Sequence, residues 1–387
     1  MAIVGGGPVA SALAMLLARG GRRVIVLEKA ALPRDKPCGE GLMPSGVKVL
    51  ARLGIDLVAE GFPAVTGVTY RLASGVSARG DLATGHGCGV RRARLDPLLA
   101  ARAAATPGVT FVSACAALRL RRGDRCVRLD TRCGELTARV LIGADGLRSS
   151  VAGWLGWAGP SRAARTKPRH ALVGHFAVDR GQVPDEIVIT LLGDVEVYAA
   201  PSGPEEMLVA ILGPRGKLRQ PGSSVVESYR SAAGRAHRGL AGAPLTGRVW
   251  GAGPFWSAPQ TVAGGRAFLV GDAAGFLDPL TGDGIAAGLT QAETLGRLLT
   301  DRVDLADASD VEAAGASYRA WRERQWRRRR MVTRLALSLT GSTVLAHRAV
   351  AGVTRRPSTL RALLEVNDGT RGLGSLTVRD WAALAGF

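Results

Sequence analysis

Lysine is nearly missing from this chain of 387 residues. Of its 51 basic residues only Lys29, Lys36, Lys48, Lys167 and Lys217 are lysines, and the rest are arginines. The formal charge of +19 invites a nucleic-acid reading. An arginine skew beside abundant Ala and Gly is instead what GC-rich codon usage writes. With aromatics at 5%, no stretch interleaves rings and cations in the way that stacks bases. Nucleic acid is not expected as a partner.

Cysteine is scarce and odd in number: Cys38, Cys88, Cys115, Cys126 and Cys133, none in CxxC spacing. They are expected to be reduced thiols of a cytoplasmic protein. The histidines do not cluster with them, so no metal site is expected. Long apolar runs are missing too. The stretch Leu335 to Ala346 falls short of the roughly 20 residues a membrane span needs and is broken by Thr and Ser. The uncharged first eighteen residues lack a basic leader, and their glycine spacing serves no secretory purpose.

What is present is enough chain for two lobes and a sizeable core. Ala2 to Val4 is a short apolar strand, clipped at the start of the chain. Gly5-Gly6-Gly7-Pro8-Val9-Ala10 follows, then an Ala/Leu-rich helix to about Arg19 and a strand Val24 to Leu27 ending in Glu28. This order is a βαβ unit of a parallel sheet. Helices are predicted at Val47 to Leu53, Ala93 to Ala105, Ser224 to Ala236 and Gly284 to Leu299. Small strands should fill residues 65–90, a β-meander residues 116–142, and larger strands residues 170–212. Beyond residue 311 the chain reads as mainly helical.

Two motifs carry chemistry. In G-x-G-x-x-A, Gly5 permits the tight turn, Gly7 lets backbone approach a pyrophosphate, and Ala10 lets helix pack on strand. Pro8 suits a first helical turn, whose free N–H groups face the phosphates. Glu28 stands where an acid takes ribose hydroxyls. Far downstream, Gly271-Asp272 ends an apolar strand and leads through Pro279, Gly282 and Asp283 to a helix beginning at Gly284. Asp272 can hydrogen-bond a ribityl chain. The helix N-terminus can stabilise charge on a reduced flavin, and Asp283 could cap its own helix while facing the cofactor.

On these residues the chain resembles the FAD-dependent branch that includes geranylgeranyl reductases and aromatic-ring hydroxylases of the p-hydroxybenzoate hydroxylase type. The resemblance runs to about residue 330. It implies a cofactor role for Gly143-Ala144-Asp145-Gly146, similar to the family's middle motif, and for Arg92 before Leu95-Asp96. It places Val9, Lys29, Gly39 and Ile285 beside the cofactor with them. Pro37-Cys38-Gly39-Glu40-Gly41-Leu42 is similar to the reductases' "CGxGL" loop, which implies that Cys38 passes near the flavin ring. The lipid-pocket Y-x-W-x-F-P pattern is reduced here to Tyr198-Ala199-Ala200-Pro201. The halogenase signature W-x-W-x-I-P is missing.

The fold expected is therefore α/β: a Rossmann-like FAD-binding domain from residues 1–64, 86–165 and 262–310. A mixed β-sheet substrate lobe comes from 65–85 and 166–261, and a C-terminal helical region from 311–387. Cys38, Glu40, Tyr198 and His175 are the candidate catalytic residues. No second dinucleotide motif is visible, so NAD(P)H would reduce the flavin transiently at its face. The favoured activity is NAD(P)H- and O2-dependent monooxygenation of a hydrophobic small molecule, plausibly in secondary metabolism, because the lipid-pocket aromatics are gone. The alternative is reduction of an isoprenoid or quinone-like C=C bond, and a non-catalytic flavin-binding protein ranks last. The run Arg327 to Arg330 could touch an anionic membrane, with a solvated helix face as the plainer account. Oligomeric state is left open.

Overall fold

The computed structural model describes residues 1–159, 168–301 and 303–387. The boundary drawn at 165/166 from the sequence lies outside the described residues.

The helices are α1 (Pro8–Arg19), α2 (Pro44–Arg52), α3 (Arg92–Ala104), α4 (Ser150–Trp154), α5 (Val225–Ala236), α6 (Gly284–Thr300), α7 (Ala308–Thr340), α8 (Thr343–Arg355), α9 (Pro357–Asp368) and α10 (Val378–Ala385). Ala2–Val4 lies at the centre of a six-stranded sheet. Leu141–Gly143 and Val24–Leu27 flank it in parallel, Ala267–Leu269 and Val109–Val112 lie beyond them, and Ala263–Gly264 makes an antiparallel edge. The central strands are apolar on both faces, as a sheet covered by helices requires. Helices α1 and α6 pack on it, and Leu13, Leu17, Leu295 and Leu299 fill the layer between. The meander Ala117–Ala138 forms its own antiparallel sheet. The run read as its continuation, Leu141–Gly143, joins the central sheet instead, because every residue in it is buried.

A second, seven-stranded sheet takes Gly67–Leu72 and Ser77–Asp81 together with strands between Arg169 and Ala252. One of its faces packs on α5 through Phe176, Val209 and Tyr229. The other faces the C-terminal helices through Leu208, Leu212, Val350 and Leu360.

Two expectations need correction. The boundary at 310/311 cuts α7, a helix of 33 residues. Its first turns belong to the core of the first sheet, where Val311 and Tyr318 are buried and the Tyr318 hydroxyl donates to Leu269 O at 2.9 Å. The cysteines are also not all free thiols. Cys115 and Cys133 form a disulfide, leaving Cys38, Cys88 and Cys126 free among the described residues. The reason is topological: the start of the meander and its second turn meet, although eighteen residues separate the two cysteines. Among the described residues no helix is long and apolar enough to cross a membrane, and no cluster of His, Cys, Asp or Glu could hold a metal ion.

Candidate active site

A cavity of about 810 Å³ runs between the two sheets, with charged walls at one end and apolar walls at the other. The charged end is built on two helix N-termini. Gly5 adopts φ +105°, and a Cβ there would lie 2.4 Å from Ala144 O, so only glycine lets the first turn close on the middle motif. Around Gly7 the space is open, and α1 begins at Pro8 without any side-chain cap. Its first amides therefore lack protein partners. The same holds for α6, whose N-cap Asp283 makes no capping bond, and Gly282, Gly284 and Ile285 line the cavity. Two uncapped N-termini opening on one cavity fit an anionic dinucleotide and a flavin that gains charge on reduction. FAD fits this end, and these are the residues that would hold it.

Most of the residues singled out from the sequence meet here: Gly5, Gly7, Pro8, Val9, Glu28, Lys29, Cys38, Gly39, Arg92, Asp145, Gly146, Gly271, Asp272 and Pro279 all line the cavity. Glu28 accepts from Gly6 N at 2.8 Å and Ala30 N at 2.9 Å. Burial works against its charge, but the Ala30 amide, the Arg34 guanidinium and the Gly6 amide outweigh it, so its pKa is lowered. Arg92 opens α3 and is locked to Asp96 by bonds of 2.6 and 2.8 Å. Asp145 lines the wall, yet its carboxylate is spent on Ser149 Oγ and the amides of Ser150 and Val151, which hold the start of α4.

Three residues sit elsewhere. Ala10 packs in the core behind the glycine turn. Asp283 turns its carboxylate away from the cavity to Arg329 of α7, at 2.8 and 3.0 Å, and to the Thr281 hydroxyl at 2.7 Å. That pair corrects the expectation of a self-capping, cofactor-facing acid. His175 has no face on the cavity. Its Nε2 lies 2.9 Å from Glu40 Oε2, and the Arg91 guanidinium lies against its ring.

The loop carrying Cys38 explains what Glu40 does. Glu40 is buried in the left-handed region at φ 54°, a costly backbone state for a residue with a side chain. Its carboxylate accepts from Arg92 N at 2.8 Å and from His175, which ties the loop to both lobes. Its amide donates to Cys38 Sγ at 3.4 Å. Cys38 lines the cavity, and burial raises the pKa of its thiol. The group is therefore a proton carrier at neutral pH, not a thiolate.

The apolar end lies between the second sheet and α7 to α10. Ala171 and Ala210 of the sheet, Leu335 and Ala336 of α7, and Ala349 and Val350 of α8 are among its walls. Aliphatic side chains dominate its walls, and Tyr70, Tyr198, Thr281, Thr340 and Asn367 are among its polar groups. The Tyr198 hydroxyl donates to Leu280 O at 2.9 Å, fixing the sheet to the loop before α6. Burial, reinforced by Glu196, lifts its pKa well above the ordinary value, so it stays a neutral donor.

Sequence reasoning passed over Lys36. Its side chain projects into the charged end near Gly146, with no ion-pair partner among the described residues. Burial and the charge of Arg92 lower its pKa, although Asp272 acts in the opposite sense. The available signal was its place beside Pro37-Cys38 in a chain so poor in lysine.

Comparison with known proteins agrees with this geometry. Residues 1–320 match the FAD binding domain family. The chain is 31% identical to menaquinone reductase of Mycobacterium tuberculosis, over 98% of this chain and 93% of that protein. It is 30% identical to rifampicin monooxygenase of Streptomyces venezuelae, over 78% of this chain and 64% of that protein. Among solved structures, the flavin-dependent brominase Bmp2 superposes with a TM-score of 0.81 at 19% identity, covering 98% of this chain and 95% of that one.

Proposed function

Because the chain belongs to the FAD binding domain family of flavin-dependent oxidoreductases, we propose that it reduces a C=C bond in a long, apolar, isoprenoid-like substrate. The observation that carries this reading is the largely aliphatic chamber between the second sheet and α7 to α10, continuous with the cofactor end of the same cavity. Oxygen transfer ranked first from the sequence because the lipid-pocket aromatics are missing after Tyr198. In the fold, Ala200 is buried in the core on the same sheet face as Tyr198, while Ala171 and Ala210 of the sheet and aliphatic side chains of α7 to α9 line the space. Small residues there add room for a long substrate, so the loss of aromatics no longer argues against one.

Held by the glycine turn, Glu28 and the two helix N-termini, FAD reduced by NAD(P)H would supply hydride to one carbon of the double bond. The protein's work is to hold the alkene dry and to protonate the other carbon. The Cys38 thiol, which lines the same cavity, would give that proton and regain it from solvent after product release. Glu40 fixes the loop from behind. Among relatives whose names describe reduction, menaquinone reductase aligns over almost the whole chain.

A second reading is oxygen transfer to the same substrate. The dry chamber favours it equally, and rifampicin monooxygenase is a relative. The test incubates FAD-loaded protein and NAD(P)H with polyprenyl quinones, polyprenyl lipids and small phenols, with and without oxygen. Reduction gives a product with two added hydrogens in the absence of oxygen, and Cys38→Ala keeps FAD but loses most of that turnover. A product with one added oxygen atom, formed only under oxygen, overturns the reductase reading.

A further inference from the structure

We propose that the outward face of α8 and α10 docks on an anionic lipid bilayer. Large apolar side chains stand in solvent there. Val378 and Phe387 are each 86% exposed, Val344 is 62% exposed, and Leu345 and Trp381 are also exposed. The two helices run antiparallel in close contact, which sets Val344, Leu345 and Phe387 toward one end of the pair and Val378 and Trp381 toward the other. Gly352 lies against Ala383 O, Gly386 lies against Arg348, and the Arg355 guanidinium donates to Gly386 O at 2.7 Å. Phe387 is thereby brought toward the start of α8.

Charge selects the occupant. Helix α8 contains no acidic residue, while Arg348 and Arg355 stand exposed on it. Arg348 and, on α10, Arg379 have no acidic partner among the described residues. Apolar tips among unpaired arginines match the acyl and headgroup layers of an anionic leaflet, with arginine stems lying along the apolar surface. The inward faces of the same helices, through Ala346, Val353 and Leu384, wall the chamber. One layer of helix thus separates the docking face from the substrate space, and a lipid-dissolved substrate has a short way in.

On α7 the basic run is divided, with Arg327 and Arg330 exposed and two other arginines turned inward. Arg329 is buried against Asp283, and Arg322 is buried with a 2.9 Å bond to Ala274 O. Those arginines hold the fold together. The proposal rests on the apolar-substrate reading only for where the face leads, because vesicle binding is read without substrate.

The test is co-sedimentation of the FAD-loaded protein with phosphatidylcholine vesicles, with and without added phosphatidylglycerol. Wild-type protein is expected to sediment with the anionic vesicles, less so at high salt. Leu345→Glu/Phe387→Glu should weaken binding about a hundredfold, because two inserting side chains are lost, while bound FAD reports an intact fold. Arg327→Gln/Arg330→Gln should leave binding within about twofold of wild type, as these side chains lie off the face. Three results would overturn the proposal: wild-type protein staying in the supernatant, release by the α7 variant but not the α8/α10 variant, or a self-associated protein that the α8/α10 variant merely dissociates.

Discussion

Asp283 and Arg329 offer a direct measure of how firmly the C-terminal helices are fastened to the cofactor end. The carboxylate stands between Gly282 and Gly284, both on the cavity wall, and is reached by Arg329 Nε at 2.8 Å and Nη2 at 3.0 Å. Both side chains are under 10% exposed. Burial opposes the Asp283 charge, but Arg329 and the Thr281 hydroxyl outweigh it and hold the carboxyl below its ordinary pKa. Removing one partner strands the other charge, at a cost of about 3–5 kcal/mol. Arg329→Met and Asp283→Asn should each lose that much in urea unfolding followed by tryptophan fluorescence. The double variant should recover part of it, with a coupling on the order of 2–3 kcal/mol. The sign of the pH effect follows from the depressed folded pKa. The contribution is complete above the unfolded value of about 4 and is lost as pH falls further, so wild type and Asp283→Asn should converge in acid. FAD affinity should fall with stability in both single variants, because the Gly282–Ile285 backbone would lose its brace. Single-variant losses below about 1 kcal/mol, or strict additivity in the double variant, would refute the argument.

Two further outcomes test the two ends of the cavity. Lys36→Gln should raise the FAD dissociation constant about ten- to hundredfold, the worth of one charge-assisted bond, and Lys36→Arg should restore most of it; fluorescence titration of apoprotein reads both, and an unchanged constant for Lys36→Gln removes Lys36 from the site. Ala349→Phe fills chamber space beside Val350, so kcat/KM should fall about tenfold or more for long-chain substrates while short analogues keep theirs. Equal losses for both would mean that the chamber does not hold the chain.

The sequence made legible what is local. Strand, glycine turn, helix, strand and acid at the start of the chain came out at Ala2–Val4, Pro8–Arg19 and Val24–Leu27 as their spacing predicted, because a βαβ turn is specified by neighbours in the chain. The downstream glycine motif was legible for the same reason, the middle one only through the family resemblance, and sheet pairing then set their strands side by side. Partners from distant segments were not legible. Glu40 meets His175 across 135 positions, and nothing near either residue announces it. The exposed, cationic look of Arg322 and Arg329 hid their burial, since an arginine goes inside only where another element brings an acid or a carbonyl. A chamber has even less of a signature, being the volume that alanines on separate elements fail to fill.

That last point bears on how one framework serves different reactions. The charged end depends on backbone: glycines that permit close approach and two helix N-termini that need no particular side chain. Such a cradle commits the chain to the cofactor but not to a reaction. What distinguishes this protein is set by side chains on the far wall and in one strained loop. Alanines of α7 and α8 line the far wall, and a left-handed Glu40 lies two residues from a thiol that burial keeps protonated. Under the proposed reduction, a protonated thiol in the same cavity would supply the proton that the second carbon needs. The loop from Pro37 to Leu42, anchored by Arg92 and His175 from the two lobes, is therefore where substitution tests the proposed reduction most directly.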